Sequence, residues 1–289
     1  MKIVGSVLIG LSLAAVGSSF TAAQEMQGPP KVLEITREYT KPGKGGDMHD
    51  KSEAKFVAAM AAAKWPTHYF ALASLSGKSR VLYLTGYPSF KAWQDDFMAM
   101  MKNKPFSAEL DKDSVADGEL LDSVDQFVFT YDEETSYRPS STLAPARLME
   151  ISSFHIKPGH DKQWHDLAKL VIDAHKKAGT SAHWATFQIA YGGDNEYVVI
   201  SDDKSMADID TGYAEDKQFR DAMGADGMKK LEELVSDCIE SSDSELFAIN
   251  PAQSYPPDEW VKASPDFWKP KPTMAPAAKA APAAKKPAQ

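Results

Sequence analysis

A histidine followed by an aromatic residue occurs twice in this chain, as His68-Tyr69 and His183-Trp184. Each pair opens a segment with the composition of a β-strand, so one member should point toward the buried face. An imidazole there can carry a proton near neutral pH, beside an aromatic surface suited to a flat ligand. His68 and His183 are therefore candidate catalytic residues, and Tyr69 and Trp184 are candidate ligand-binding residues. The alternative is that these histidines only hydrogen-bond the strand ends.

Two further histidines lie on predicted strand and helix faces. His155 and its counterpart Tyr39 are aromatic residues with polar tips, which predicts that both line a cavity; His155 is also a third catalytic candidate. His175 lies on the apolar stripe of a predicted helix. It is either a satisfied core histidine or an axial ligand of haem iron, and haem is the alternative to our main expectation of no cofactor.

The sequence lacks the common metal and nucleotide motifs. His160 and His165 are five residues apart, which separates them by about 140° on a helix, so they cannot share one face. No His-Glu-x-x-His, Cys-x-x-Cys, EF-hand loop, P-loop, Gly-x-Gly-x-x-Gly or Gly-x-Ser-x-Gly is present. We therefore predict no metal site. His49 and His165 lie off the apolar stripe near the helix starts, where solvated positions are expected.

The segments that position these residues occur twice. Residues 32–43 recur as residues 148–159 at a spacing of 116, and His49-Asp50 recurs as His165-Asp166 at the same spacing. Three further anchors, which begin at His68/His183, Ser89/Ser205 and Ser136/Ser254, keep the same order, which indicates a duplicated unit. We place the first repeat at residues 31–139 and the second at residues 147–257.

Each repeat has the pattern β-α-β-β-α-β, which is typical of the ferredoxin-like fold. Apolar alternation, helical periodicity and glycine turns predict the element ranges. In the second repeat these are a strand at 147–156, a helix at 160–178, strands at 183–191 and 196–201, a helical region from about 204 and a strand at 245–249. In the first repeat they are a helix at 46–63, strands at 68–75 and 80–86, helices within 89–122 and a strand at 125–131.

Several predicted strands are apolar on both faces, for example residues 70–73 and 197–200. The helices cover one sheet face, so the other face must be buried as well. The second repeat is the nearest partner. Packing the two sheets face to face predicts an α+β barrel with a pseudo-two-fold axis and a central space. The chain would then be a monomer with a pseudo-dimeric barrel, although a homo-oligomer remains open.

The two ends of the chain differ from its body in composition. Residues 1–23 combine Lys2, a run of fourteen apolar residues and small residues suited to cleavage, which predicts a signal peptide and export to the periplasm or the medium. Residues 265–289 are rich in alanine, proline and lysine, which predicts a disordered tail. No later stretch has the roughly 20 apolar residues of a membrane helix, so no integral membrane segment is expected after cleavage.

Charge and cysteine content narrow the function further. The chain carries 41 acidic and 32 basic side chains, a net charge of −9, which argues against nucleic acid as a partner. The single cysteine, Cys238, cannot form an intrachain disulfide and is predicted to be a small buried residue.

The string Glu150–His160, followed by a helix that contains Trp164, resembles the first strand and turn of the dimeric α+β barrel superfamily. Within it the chain is similar to the NIPSNAP and antibiotic-biosynthesis-monooxygenase groups, over nearly all of both repeats. The resemblance implies two ferredoxin-like units packed sheet to sheet. It also implies a range of activities that includes cofactor-free monooxygenases and haem-dependent enzymes. No matching set of asparagine, tryptophan and histidine is present, so no catalytic residue is transferred.

We therefore expect an exported protein that binds a small apolar or aromatic molecule between its sheets. Cofactor-independent, monooxygenase-like oxidation is the enzymatic form of this expectation, and whether the protein is an enzyme stays open. The alternatives are a non-enzymatic envelope protein that acts through its surface and basic tail, or a haem-binding protein.

Overall fold

The computed structural model describes residues 28–269. The predicted signal peptide (1–23) and residues 270–289 of the predicted tail lie outside the described residues. The elements, in chain order, are β1 (Val32–Thr40), α1 (Asp47–Ala63), β2 (Tyr69–Ser74), β3 (Arg80–Tyr87), α2 (Phe90–Lys102), α3 (Lys104–Gly118), β4 (Leu121–Tyr137), β5 (Leu148–Ile156), α4 (Asp161–Ala178), β6 (Trp184–Tyr191), β7 (Glu196–Asp203), α5 (Met206–Cys238), β8 (Ile239–Tyr255), α6 (Asp258–Ala263) and α7 (Pro265–Trp268).

The eight strands form one closed antiparallel barrel in the order β1-β3-β2-β8-β5-β7-β6-β4. Each repeat contributes four neighbouring strands, in the order β4-β1-β3-β2 and β8-β5-β7-β6, which is the ferredoxin-like arrangement in both cases. The repeats meet where β2 pairs with β8 and where β4 pairs with β6. The predicted α+β barrel, built from two tandem ferredoxin-like units in one chain, is confirmed.

Strand alternation decides what the barrel encloses. On β1, Leu33 and Ile35 belong to the main core cluster, whereas Glu34 and Glu38 have the opposite parity. The same alternation on the other strands sends Leu72, Met149 and Phe247 into this cluster. The barrel interior is therefore an apolar core shared by both repeats, and the helices cover its outside.

The last strand of each repeat is longer than the sequence predicts. We expected strands at 125–131 and 245–249, whereas β4 and β8 each have 17 residues. Their far ends pair with the other repeat, because Tyr137 lies opposite Trp184 and Tyr255 lies opposite Tyr69. Both ladders contain register shifts there, and Pro251 interrupts the strand pattern of β8. These extensions form because a partner strand is present, which local patterning does not reveal.

The helices pack on the outer sheet faces, with α1 against β8 and α4 against β4. The long helix α5 contains Gly224, whose φ of 71° interrupts the helical backbone. Cys238, at the end of α5, is fully buried, as predicted. Among the described residues, no helix is both long and apolar enough to cross a membrane.

The prediction that the disordered tail begins at residue 265 is wrong. Residues 265–268 form the short helix α7, and the side chain of Trp268 is 3% exposed and joins the barrel core cluster. The Trp268 indole nitrogen donates to the carbonyl of Ala144 at 3.4 Å, and the ring packs against Trp260 of α6. The composition of residues 265–289 predicts a solvated segment. The aromatic residues that precede Pro270, however, pack at the mouth of the barrel.

This burial predicts a measurable stability contribution. Trp268→Ala should lower the free energy of unfolding by about 3–5 kcal/mol, because it removes a large ring from a packed core. Denaturant unfolding followed by circular dichroism measures the change. Phe97→Ala is the control, since Phe97 is 57% exposed and its loss should change stability by at most about 0.5 kcal/mol. Equal effects of the two substitutions would show that residues 265–268 are not part of the core.

Candidate functional site

Within residues 28–269, the predicted central space is not one continuous hollow. Apolar side chains fill the middle of the barrel, among them Ile35, Leu72, Phe129, Ile151 and Phe247. The open space lies at the two mouths, with a cavity of about 1710 Å³ at one mouth and a cavity of about 1050 Å³ at the other. The prediction was wrong about the centre because both sheets supply large residues to the same layers, which fills the space between them.

The larger cavity is mainly apolar, and we call it the apolar mouth. Helix α6 and residues 139–145 border it, together with residues from both repeats. Its apolar wall includes Leu33, Phe70, Leu84, Met149, Ala185, Phe187, Ile200 and Trp260. The polar residues on its wall include His68, Asp96 and Asp202. A largely apolar, concave surface with a few polar groups is the usual form of a small-molecule site.

His68 lies on the wall of the apolar mouth, directly before β2. Its ring packs on Tyr255, with ring centres 4.7 Å apart, and its Nδ1 is buried without a hydrogen-bond partner among the described residues. Burial lowers the pKa of His68, so the imidazole is neutral at pH 7. A neutral imidazole can accept or donate a hydrogen bond, and here one of its nitrogens has no protein partner.

His183, the counterpart of His68, has a different environment. Its Nε2 lies 2.9 Å from the carbonyl oxygen of Asp202 and 3.6 Å from the Asp202 carboxylate. Interaction with the Asp202 carboxylate outweighs burial and raises the pKa of His183 to about 9. His183 is therefore protonated and held by Asp202 at neutral pH. The two predicted catalytic candidates are not equivalent, and His68 is the one with an unused nitrogen.

The aromatic members of the two pairs border the apolar mouth, but their rings pack toward the outer layer. The ring of Tyr69 contacts Tyr83, with centres 6.1 Å apart, on the outer sheet face. The ring of Trp184 contacts Tyr137, with centres 5.2 Å apart, and its indole nitrogen donates to the carbonyl of Thr135. Of each predicted pair, the histidine has the parity of the interior, and Phe70 rather than Tyr69 supplies an aromatic ring to the core.

The opposite mouth is charged. Arg37 and Arg80 line it with the acidic residues Asp243 and Glu245. Arg80 forms a two-point ion pair with Glu245, in which Nη1 donates to Oε1 at 2.9 Å and Nη2 pairs with Oε2. His155 lines this cavity, as expected from its strand parity. Tyr39 lies nearby, with the Arg80 guanidinium carbon 5.6 Å from its ring centre.

His175 lies in the helix layer, outside both cavities. Its Nδ1 is 2.7 Å from the Thr180 hydroxyl, and its ring packs against Phe219 and Tyr137. Burial lowers the pKa of His175. These contacts are those of a satisfied core histidine, the first of the two readings that its helical position allowed.

The prediction that His49 is solvated is wrong. His49, on α1, is 1% exposed and is surrounded by the carboxylates of Glu38 on β1, Glu53 on α1 and Asp117 on α3. Its Nε2 lies 3.1 Å from Glu38, 3.7 Å from Asp117 and 3.9 Å from Glu53. The spacing of His49 and Glu53, four residues apart on one helix face, was the sequence signal for this cluster.

The cluster perturbs the protonation of its members. Burial alone would lower the pKa of His49, but Asp117, Glu38 and Glu53 outweigh it and raise this pKa to about 10. Burial, together with the charges of Glu38 and Asp117, raises the pKa of Glu53 to about 8. Three buried titratable groups and the partly buried Glu38 form a concentrated acidic site on the outside of the barrel.

The opposite environments of His68 and His183 predict opposite titrations. NMR of the histidine rings should show His183 titrating near pH 9 and His68 titrating below the usual 6.5. Because the pKa of His183 is higher in the folded state, its contribution to stability is complete below pH 6.5 and is lost as the pH rises through 9. His183→Gln should therefore flatten part of the stability loss in this window. Identical titration of both rings would contradict these assignments.

No protein-family model and no curated protein matches the sequence. Solved structures do match the fold. The "Putative monooxygenase" of Fusobacterium nucleatum is similar over 76% of this chain and 93% of its own, with 11% identity and a TM-score of 0.50. An anthrone oxidase-like protein is similar over 78% of this chain and 94% of its own, also with 11% identity and a TM-score of 0.50. A NIPSNAP family protein of Agrobacterium tumefaciens covers 36% of this chain and 87% of its own, with 16% identity and a TM-score of 0.27. The chain therefore shares its fold with these two solved structures, an eight-stranded α+β barrel of which both halves are supplied here by one polypeptide.

Proposed function

We propose that this protein binds a small apolar or aromatic molecule in the apolar mouth of its barrel. The observation that carries the proposal is the combination of a large, mainly apolar cavity with a buried imidazole nitrogen of His68 that has no partner among the described residues. An unpaired buried nitrogen costs free energy, and a ligand that supplies its missing hydrogen bond recovers it. The signal peptide that the sequence predicts at residues 1–23 is the reason for proposing that this function lies outside the cytoplasm.

The side chains on the wall of the apolar mouth indicate which class of ligand it binds. The cavity wall is formed largely by apolar and aromatic side chains such as Phe70, Phe187 and Trp260, which favour a flat apolar body. The imidazole of His68 favours a ligand that carries one hydroxyl or carbonyl group, since a neutral imidazole can form a hydrogen bond with either. The fold likeness to proteins named as a monooxygenase and as anthrone oxidase-like makes a hydroxylated aromatic compound the first class to test.

A bulky substitution in the apolar mouth should weaken the binding of an apolar dye. The mature chain should increase the fluorescence of N-phenyl-1-naphthylamine, a neutral dye that emits strongly in apolar surroundings. Ala185→Phe places a ring in the apolar mouth and should weaken dye binding at least about tenfold, because the added ring occupies the space that the dye needs.

Ser153→Phe is the matched control, because it adds the same ring type at the charged mouth. It should leave dye binding within about twofold of the original protein. Both variants should keep the original circular dichroism spectrum. Loss of dye binding in Ser153→Phe but not in Ala185→Phe would place the site at the wrong mouth, and no binding by the original protein would reject the proposal.

The role of His68 is tested with two ligands that differ by one hydroxyl. His68→Ala should weaken the binding of 1-naphthol about 3- to 10-fold more than it weakens the binding of naphthalene, because only naphthol can use the imidazole nitrogen. Isothermal titration measures both affinities. His155→Ala, at the charged mouth, should change the affinity for neither ligand. Equal weakening for both ligands would show that His68 contributes shape alone.

A further inference from the structure

We propose that Glu38, His49, Glu53 and Asp117 bind one divalent first-row transition-metal ion between α1, α3 and β1. One potential ligand atom from each residue lies within 4.8 Å of all the others. Metal–ligand bonds to oxygen and nitrogen are about 2.0–2.2 Å long, so ligand atoms on opposite sides of an ion lie roughly 4.0–4.4 Å apart. Small side-chain adjustments would therefore bring all four groups to bonding distance.

The cluster also contains an unused ligand atom. Asp117 is 2% exposed, and its Oδ1 has no hydrogen-bond partner among the described residues. This oxygen points into the cluster, 3.7 Å from His49 Nε2, which is too far for a hydrogen bond. A buried carboxylate oxygen with no donor calls for a cation or a donor at this point.

The types of ligand indicate the class of ion. Three carboxylates and one imidazole suit manganese, iron or zinc, which accept both oxygen and nitrogen ligands. The three carboxylates supply negative charge that a divalent ion would neutralise. Glu38 is the most accessible member, with a side chain that is 16% exposed, so it lies on the side from which an ion could enter.

Gln253 contacts His49 on the side of its ring that faces away from the cluster. Gln253 Nε2 lies 3.4 Å from His49 Nδ1 and donates to Asp50 at 2.9 Å, while its Oε1 accepts from Tyr83 at 3.1 Å. Metal binding through His49 Nε2 places the ring proton on Nδ1, so the Gln253 amide must then turn its oxygen toward the ring. Such outer contacts orient metal-bound histidines.

The second repeat shows that the fold does not require this cluster. At the spacing of 116 residues, Phe154 stands in place of Glu38 and Lys169 stands in place of Glu53, while His165 stands in place of His49. Phe154 packs on Trp164 there, with ring centres 5.1 Å apart. An aromatic contact therefore occupies this position in the second repeat, and the set of four metal-ligand types is specific to the first repeat.

The test is metal binding by the chelator-treated, full chain. Titration with Mn²⁺, followed by the electron paramagnetic resonance signal of the free ion, should show one ion bound per chain, and Zn²⁺ should compete for it. His49→Gln and Asp117→Asn should each weaken Mn²⁺ binding at least about 10- to 100-fold. Added Zn²⁺ should raise the melting temperature of the original protein but not that of Asp117→Asn.

His165→Gln is the matched control. His165 lies 3.6 Å from Asp132 and 3.3 Å from Glu134, but its side chain is 36% exposed and that of Glu134 is 84% exposed. This variant should keep one ion at the original affinity. Asp117→Asn keeps the size of the side chain, so it remains informative even if His49→Gln fails to fold. Absence of bound Mn²⁺ and Zn²⁺ at millimolar concentration, or unchanged binding in Asp117→Asn, would overturn the proposal.

Discussion

The pairing of strands across the two repeats is the interaction on which the structure depends. A four-stranded ferredoxin-like sheet has two open edges and one uncovered apolar face. The β2–β8 and β4–β6 ladders close both edges at once and bring the two faces together around one core. In addition, β8 packs against α1 and β4 packs against α4, so each of these helices contacts a strand of the other repeat.

The closed core explains why candidate sites lie at the barrel ends. Leu72, Ile151 and Phe247 come from three strands and, among the described residues, fill the middle layers, which leaves no room for a ligand there. At each mouth of the barrel the layers of core side chains end. Other residues must therefore cover the core there. Helices α6 and α7 cover the apolar mouth with Trp260 and Trp268, whereas ion pairs such as Arg80–Glu245 occupy the other mouth.

The two repeats differ in the surroundings of two pairs of equivalent histidines. His68 and His183 occupy equivalent positions, yet one is neutral with an unused nitrogen and the other is charged and held by Asp202. His49 and His165 are likewise equivalent, yet only His49 is buried among carboxylates. Duplication thus supplied two copies of each position, and the neighbouring residues then gave one copy of each pair a distinct environment.

The sequence alone determined the duplication, the order of elements in each repeat and the closure of the barrel, because these follow from repeated spacing, alternation and an apolar face that needs a partner. It also placed His68 at the wall of a cavity. Only the tertiary structure decided that the barrel centre is filled, that Trp268 is buried, and that His49 joins Glu38 and Asp117. These outcomes depend on residues 11 to more than 100 positions apart, and local patterns carry no information about which distant side chains will meet.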